Sequence, residues 1–203
     1  MPIYKHDKTL IITNLKVMSS SLNNTKNLKR LTRKSFVNIC FCIFSNKINK
    51  VMLVRDPYKR VISIYNNKFK NFQYPDQKLQ YIHKIFLKSL YKDKKFKNLN
   101  VSEILNSITF DEFLLLLKKV YESDGHTKLQ SKILVDYKVK IKNLKIIKIE
   151  NKKGLGSFFE NLDLKIPHLN KNNLKEILVL NKDQKEIIHE IYKKDFENFD
   201  YEK

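Results

Sequence analysis

Short β-branched runs alternate with longer segments of helical period, and no other feature constrains the fold of this chain as strongly. Thr9–Ile12 (TLII), Phe36–Phe44, Val51–Val54 (VMLV) and Leu144–Ile149 (LKIIKI) read as strands short and apolar enough to be buried on both faces. Between them, the polar and basic segment Leu22–Lys34 reads as a helix. Tyr58–Phe72 places Val61, Ile62, Tyr65 and Phe69 at helical spacing, behind Asp56 as a cap and Pro57 in the first turn. Gln77–Tyr91 and Thr109–Glu122 are also helical, the second opening with the capping box Thr109-x-x-Glu112. A helix near Gly154–Asn161 and an amphipathic one over Asp183–Phe199 close the chain. This order predicts an α/β fold with a central, mostly parallel sheet flanked by helices. The 203 residues predict one domain spanning residues 1–203, with a helical insertion at about 73–125.

Charge narrows the function classes. The chain has 41 Lys or Arg against 21 Asp or Glu, a net charge of +20, yet only four of those cations are Arg: Arg30, Arg33, Arg55 and Arg60. Abundant Lys, Asn and Ile follow from an AT-rich coding sequence alone, so the Lys coat names no partner. The few Arg are more informative, because a planar fork stands where Lys is the default. With 42% hydrophobic residues the chain can build a core, which excludes wholesale disorder. Cys40 and Cys42 share one apolar run and can form neither a disulfide framework nor a four-Cys zinc site. No run reaches the roughly 18 apolar residues of a membrane span, and the N-terminus lacks a signal-peptide pattern. The expectation is a soluble, cytoplasmic protein.

Two strand-to-helix junctions carry the chemistry. In α/β sheets, ligands bind beyond the carboxyl ends of strands, where helix N-termini favour anions. The first junction presents Lys16 and Ser19, Ser20 and Ser21 after the first strand. Backbone N–H groups and three hydroxyls there can wrap a phosphate or sulfate, with the ammonium as a mobile point charge. It is not a Walker A loop, because Gly125, Gly154 and Gly156 all lie elsewhere, which weakens kinase and NTPase readings. At the second junction, an Arg fork at Arg55 and the Ser63 hydroxyl two turns into the next helix can converge on one phosphate.

The second junction, Val51 to Phe69, resembles the 3′-phosphate-binding signature of sulfotransferases, R-D-P-[YF]-x-R-x-x-S-x-Y-x-x-K-F. The carbohydrate (chondroitin/dermatan-type) sulfotransferases are the nearest type. Lys16-Val17-Met18-Ser19-Ser20-Ser21 is similar to that family's phosphosulfate loop P-K-V-[AG]-[CS]-[TS], with Leu15 in place of the Pro and Met18 in place of the small residue. Asp124 to Gln130 resembles D-x-H-W-x-P-Q without its Trp and Pro, and Ile149-Glu150-Asn151 resembles L-E-N. Ile166 to Asn170 looks like L-P-H-x-N, and Ile191 to Tyr201 matches I-Y-x-x-D-F-x-x-F-x-Y.

The resemblance implies a P-loop-NTPase-like three-layer fold and transfer of a sulfuryl group from 3′-phosphoadenosine 5′-phosphosulfate to a carbohydrate hydroxyl. It implies that Lys16, Val17, Met18, Ser19, Ser20 and Ser21 hold the phosphosulfate, Lys16 also acting catalytically. Arg55 and Ser63 would grip the 3′-phosphate. Arg60 would either stabilise the junction or border the nucleotide. His126 is the favoured general base, with Asp124 orienting it or contacting the acceptor, and Glu150 is the alternative base. No metal and no specific nucleic-acid partner are expected. Two other readings stand beside this one: a basic nucleic-acid-binding module, and a sulfotransferase-fold protein that has lost catalysis.

Overall fold

Five strands form one sheet in the computed structural model of the chain, which describes residues 2–32, 36–70, 72–91, 94–167 and 179–203. They are β1 (Ile3–His6), β2 (Thr9–Ile12), β3 (Lys29–Leu31), β4 (Asn49–Val54) and β5 (Lys145–Lys148), in the order β3-β1-β2-β4-β5. β2, β4 and β5 run parallel, with Ile12 opposite Met52 and Val54 opposite Lys148. β1 and β3 extend one edge in antiparallel fashion. The fold is the expected α/β type with a parallel centre.

Alternation along the strands divides the core. Tyr4, Ile11, Val51, Leu53 and Ile147 face one side of the sheet. There they meet Leu22 of α1 (Ser19–Asn23) and Leu155, Phe158 and Phe159 of α8 (Lys152–Glu160). Ile3, Leu10, Ile12, Met52 and Val54 face the other, against Ile39, Cys42 and Ile43 of α2 (Phe36–Phe44) and Ile133 of α7 (Lys132–Asp136). A period of two on strands buried on both sides produces this split.

Two expectations fail. Phe36–Phe44 is the helix α2, not a strand. Its buried residues Ile39, Cys42 and Ile43 are spaced i, i+3, i+4, and a short continuous apolar run does not distinguish helix from strand by periodicity. The segment Leu22–Lys34 is not one helix either. α1 stops at Asn23, Asn27 takes a left-handed φ of 63°, and the chain then pairs as β3 along β1. Asn tolerates that conformation, so the turn costs little, and the gain of an edge strand outweighs a polar helix that has little to bury. β1 itself escapes a reading from sequence, because four residues with a single apolar pair carry a weak signal.

The described residues divide into two compact units. The first comprises those within Met1–Asp56, Gln130–Ile177 and Lys194–Glu202, and contains the sheet. The second comprises those within Pro57–Leu129 and Leu178–Lys193, with Lys203. Its helices are α3 (Pro57–Lys68), α4 (Tyr81–Leu90), α5 (Val101–Ser107) and α6 (Phe110–Val120). Both Thr109–Glu112 at the start of α6 and Asn100–Glu103 at the start of α5 close capping boxes. Phe69, Phe86 and Phe113 pack together with centroids 4.7–5.5 Å apart, and Tyr65 packs edge-on to Phe110. α9 (Lys182–Phe199) supplies residues to both units and leaves helical geometry at Tyr192. Among the described residues no helix is long and apolar enough to cross a membrane.

Candidate active site

The first junction is a tight turn built without glycine. β2 ends at Ile12, and the Val17 N–H donates back to the Asn14 carbonyl at 3.1 Å while the Thr13 hydroxyl donates to the Val17 carbonyl at 2.5 Å. Lys16 and Met18 both take left-handed backbone, with φ of 70° and 56°. That conformation favours glycine, which explains why the resembled pattern carries a small residue where this chain has Met18. Strain of this kind costs on the order of 1 kcal/mol and persists only where surroundings hold it. The surroundings are visible. Tyr4 donates its hydroxyl to the Ser19 carbonyl at 3.1 Å and to Asn23 Oδ1 at 2.9 Å, fixing α1 behind the turn. Between described residues, no hydrogen bond uses the hydroxyls of Ser19, Ser20 or Ser21.

Arg55 follows the end of β4 and reaches this turn. Its Nη1 donates to the Lys16 carbonyl at 3.0 Å, bringing together two residues singled out from sequence. The Arg55 backbone is gripped in turn by one side chain. Gln130 Oε1 accepts from the Arg55 N–H at 2.9 Å, and Gln130 Nε2 donates to the Arg55 carbonyl at 2.7 Å, an amide standing in for a neighbouring strand. The Gln130 carbonyl also accepts from Asn14 Nδ2 at 3.1 Å. Asp195, fully buried on α9, accepts the Gln130 N–H at 2.7 Å and the Ser131 N–H and hydroxyl at 2.8 and 2.7 Å. Asp195, Gln130 and Asn14 thus tie α9 to the ends of β2 and β4.

Glu150 has a positioning place rather than an open one. Its Oε1 accepts the Asp56 N–H and its Oε2 accepts the Tyr201 hydroxyl, each at 3.1 Å. Burial pushes the Tyr201 hydroxyl far up, and the Glu150 charge adds to it, so the phenol stays protonated as a donor. Each Glu150 oxygen thus holds a neighbouring group in place.

The second unit holds His126, Asp124 and Ser63. Asp124 Oδ1 lies 2.6 Å from His126 Nδ1 and accepts the His126 backbone N–H at 2.8 Å. Burial raises the Asp124 carboxyl, but these hydrogen bonds, with the charges of His126 and Lys68, outweigh it and leave the group below its usual range. An ionised carboxylate only accepts, so Nδ1 carries the proton and Nε2 is left as the ring's acceptor when His126 is neutral. Lys68 and His83 lie within electrostatic reach; burial, then the Lys68 charge, lowers His83 to about 4. Ser63 sits half-buried on α3, its carbonyl accepting from Asn67 Nδ2 at 2.8 Å.

Arg60 does not reach outward. It is fully buried, and its Nη2 donates to the carbonyls of His126 and Lys128 at 2.9 and 2.7 Å. Its guanidinium stands 5.7 Å from the centre of the Tyr192 ring, whose hydroxyl donates to the Thr127 carbonyl at 2.6 Å. Three successive carbonyls around His126 are thereby held, which makes Arg60 the clamp of the His126 segment. Sequence reasoning misses Gln130, Asp195 and Tyr192 as site residues. The available signal for Asp195 is an acid three residues after Tyr192, on the helix face that carries Tyr192, Phe196 and Phe199. His168 and the rest of the Pro-His-x-Asn match after Pro167 lie outside the described residues.

No curated protein and no solved structure matches the chain. The model of the sulfotransferase family matches residues 4–202, covering both junctions, the Asp124–Gln130 segment and α9. With the match extending over nearly the whole length, this chain belongs to the sulfotransferase family.

Proposed function

We propose that the protein transfers a sulfuryl group from 3′-phosphoadenosine 5′-phosphosulfate to a carbohydrate hydroxyl. The observation that carries this reading is the Lys16–Ser21 turn. It is held in shape by Arg55 and Tyr4, keeps three serine hydroxyls unengaged by the described chain, and carries Lys16 in the same turn. Such a set fits a phosphate-bearing group. The donor, when bound, supplies the sulfuryl group and leaves negative charge on its 5′-phosphate.

Lys16 neutralises that charge, and Ser19, Ser20 and Ser21 with the backbone of Val17 and Met18 hold the group in line. Arg55 binds the 3′-phosphate, a role that the sequence resemblance gives to Ser63 as well. His126 takes the acceptor's proton on Nε2, while Asp124 holds Nδ1–H and stabilises the imidazolium that results. The carbohydrate acceptor rests on the six ordered sequence segments that resemble carbohydrate sulfotransferases.

The test is a thermal shift with 3′,5′-adenosine bisphosphate against AMP. A ligand that binds only the folded state raises the melting temperature. The bisphosphate is expected to raise it more than AMP does, and Arg55→Ala to abolish the difference. Equal shifts with the two nucleotides, or none, would remove the 3′-phosphate site.

A further inference from the structure

α2 is apolar on both sides. Ile39, Cys42 and Ile43 enter the core beneath it, whereas Val37, Phe41 and Phe44 are 79%, 69% and 64% exposed. The spacing i, i+4, i+7 places these three on one face of the helix. Three exposed large apolar side chains in a row on one helix, two of them aromatic, are not the ordinary scatter of surface apolar residues.

The stretch of sequence that contains this helix is one-sided in charge. Between Asp7 and Asp56 the sequence has no acidic residue and ten Lys or Arg. Lys5 on β1 lies directly opposite Lys29 on β3. In the same register Ile3 lies opposite Leu31, and both join the core beneath α2. Alternation therefore puts Lys5 and Lys29 on the sheet side that α2 covers. Like charges directly opposite destabilise a strand pair unless an anion offsets them. Lys47, exposed in the turn after α2, adds a third cation.

We propose that this face of the first unit docks on an anionic lipid surface. Val37, Phe41 and Phe44 enter the boundary between headgroups and acyl chains, and Lys5, Lys29 and Lys47 meet the headgroups. The chemistry favours lipid over the other occupants. A second copy would set the same acid-free, basic segment against itself. Three side chains on one short helix fall well short of the roughly 1,000 Å² that a stable protein interface needs. A single-stranded nucleic acid would match the cations and stack bases on Phe41 and Phe44, but it gives the aliphatic Val37, the most exposed of the three, nothing to bury against. An interfacial helix uses both features at once.

The test is co-sedimentation of the full chain with vesicles of phosphatidylcholine alone and of a phosphatidylcholine–phosphatidylserine mixture. Binding is expected only to the mixture. Phe41→Ser with Phe44→Ser is expected to weaken it by about tenfold or more with the melting temperature unchanged, since both residues are exposed. Lys5→Gln with Lys29→Gln is expected to weaken it by about tenfold and to flatten its salt dependence. The chain has no Trp, so Phe41→Trp provides a single fluorescent reporter whose emission should shift to the blue with the mixed vesicles alone. Failure to bind either vesicle overturns the proposal, as does binding indifferent to the Phe changes or an unshifted emission from the reporter on bound protein. Self-association in solution that depends on Phe41 and Phe44, without vesicle binding, assigns the face to a second copy and equally overturns it.

Discussion

Arg55 and His126 are both held through their backbones by buried polar side chains, but the two holds differ in kind. Around Arg55 the clamps are an amide and a carboxylate that use their matching donors and acceptors: Gln130 on the Arg55 N–H and carbonyl, Asp195 on two N–H groups and a hydroxyl. Asn14 Oδ1 is the buried acceptor left over there among the described residues. Around His126 the clamp is a buried cation. Arg60 uses Nη2 on two carbonyls, and its buried Nε and Nη1 have no hydrogen-bond partner among the described residues, with the Tyr192 ring as partial compensation. Removing a well-matched buried acceptor leaves several donors unsatisfied, whereas removing an imperfectly matched cation also removes its own desolvation cost. Loss of the Arg55 hold is therefore expected to cost more than loss of the His126 hold. The His126 side is held more weakly.

The strongest way to break this comparison is functional. His126→Ala should lower turnover by about 10² to 10⁴-fold while leaving the thermal shift with 3′,5′-adenosine bisphosphate intact. Unchanged turnover would remove His126 as the base, and a lost shift would erase the division between a binding side and a proton-transfer side. Next comes Asp195→Asn, which keeps the shape but turns an acceptor into a donor facing N–H groups. Denaturant unfolding should show a loss of about 2–4 kcal/mol and a weakened bisphosphate response. Arg60→Met should cost less, about 1–2 kcal/mol, because two carbonyls lose a donor while an underused buried charge disappears. Its signature is a fall in turnover at unchanged bisphosphate binding. If Arg60→Met proves more destabilising than Asp195→Asn, the ranking of the two holds is reversed.

Much of this arrangement is legible without the fold. The Arg55-Asp56-Pro57 strand end, the Ser-rich turn and the Asp124–His126 pair all stand where the residue patterns put them, because each depends on neighbours close in sequence. Arg60 is only half legible. Its motif position marks it, yet whether it faces a nucleotide or the interior depends on carbonyls 66 and 68 residues away. Glu150 reads as an alternative base at a strand end, and only the fold shows Asp56 and Tyr201 on its two oxygens.

The sequence by itself determined the α/β class, the helix starts at Pro57 and Phe110, and the two strand-to-helix junctions at Lys16 and Arg55. Local periodicity, capping chemistry and strand-end position suffice for these. Tertiary structure alone decided that Phe36–Phe44 is a helix and that Lys29–Leu31 leaves a helical segment to pair with β1. Short apolar or polar runs have no conformation of their own strong enough to resist what the sheet offers. It also decided which side chains hold the site. Gln130 grips Arg55 from 75 positions away, and Asp195 grips Gln130 from 65, pairings that exist only once the chain has closed on itself.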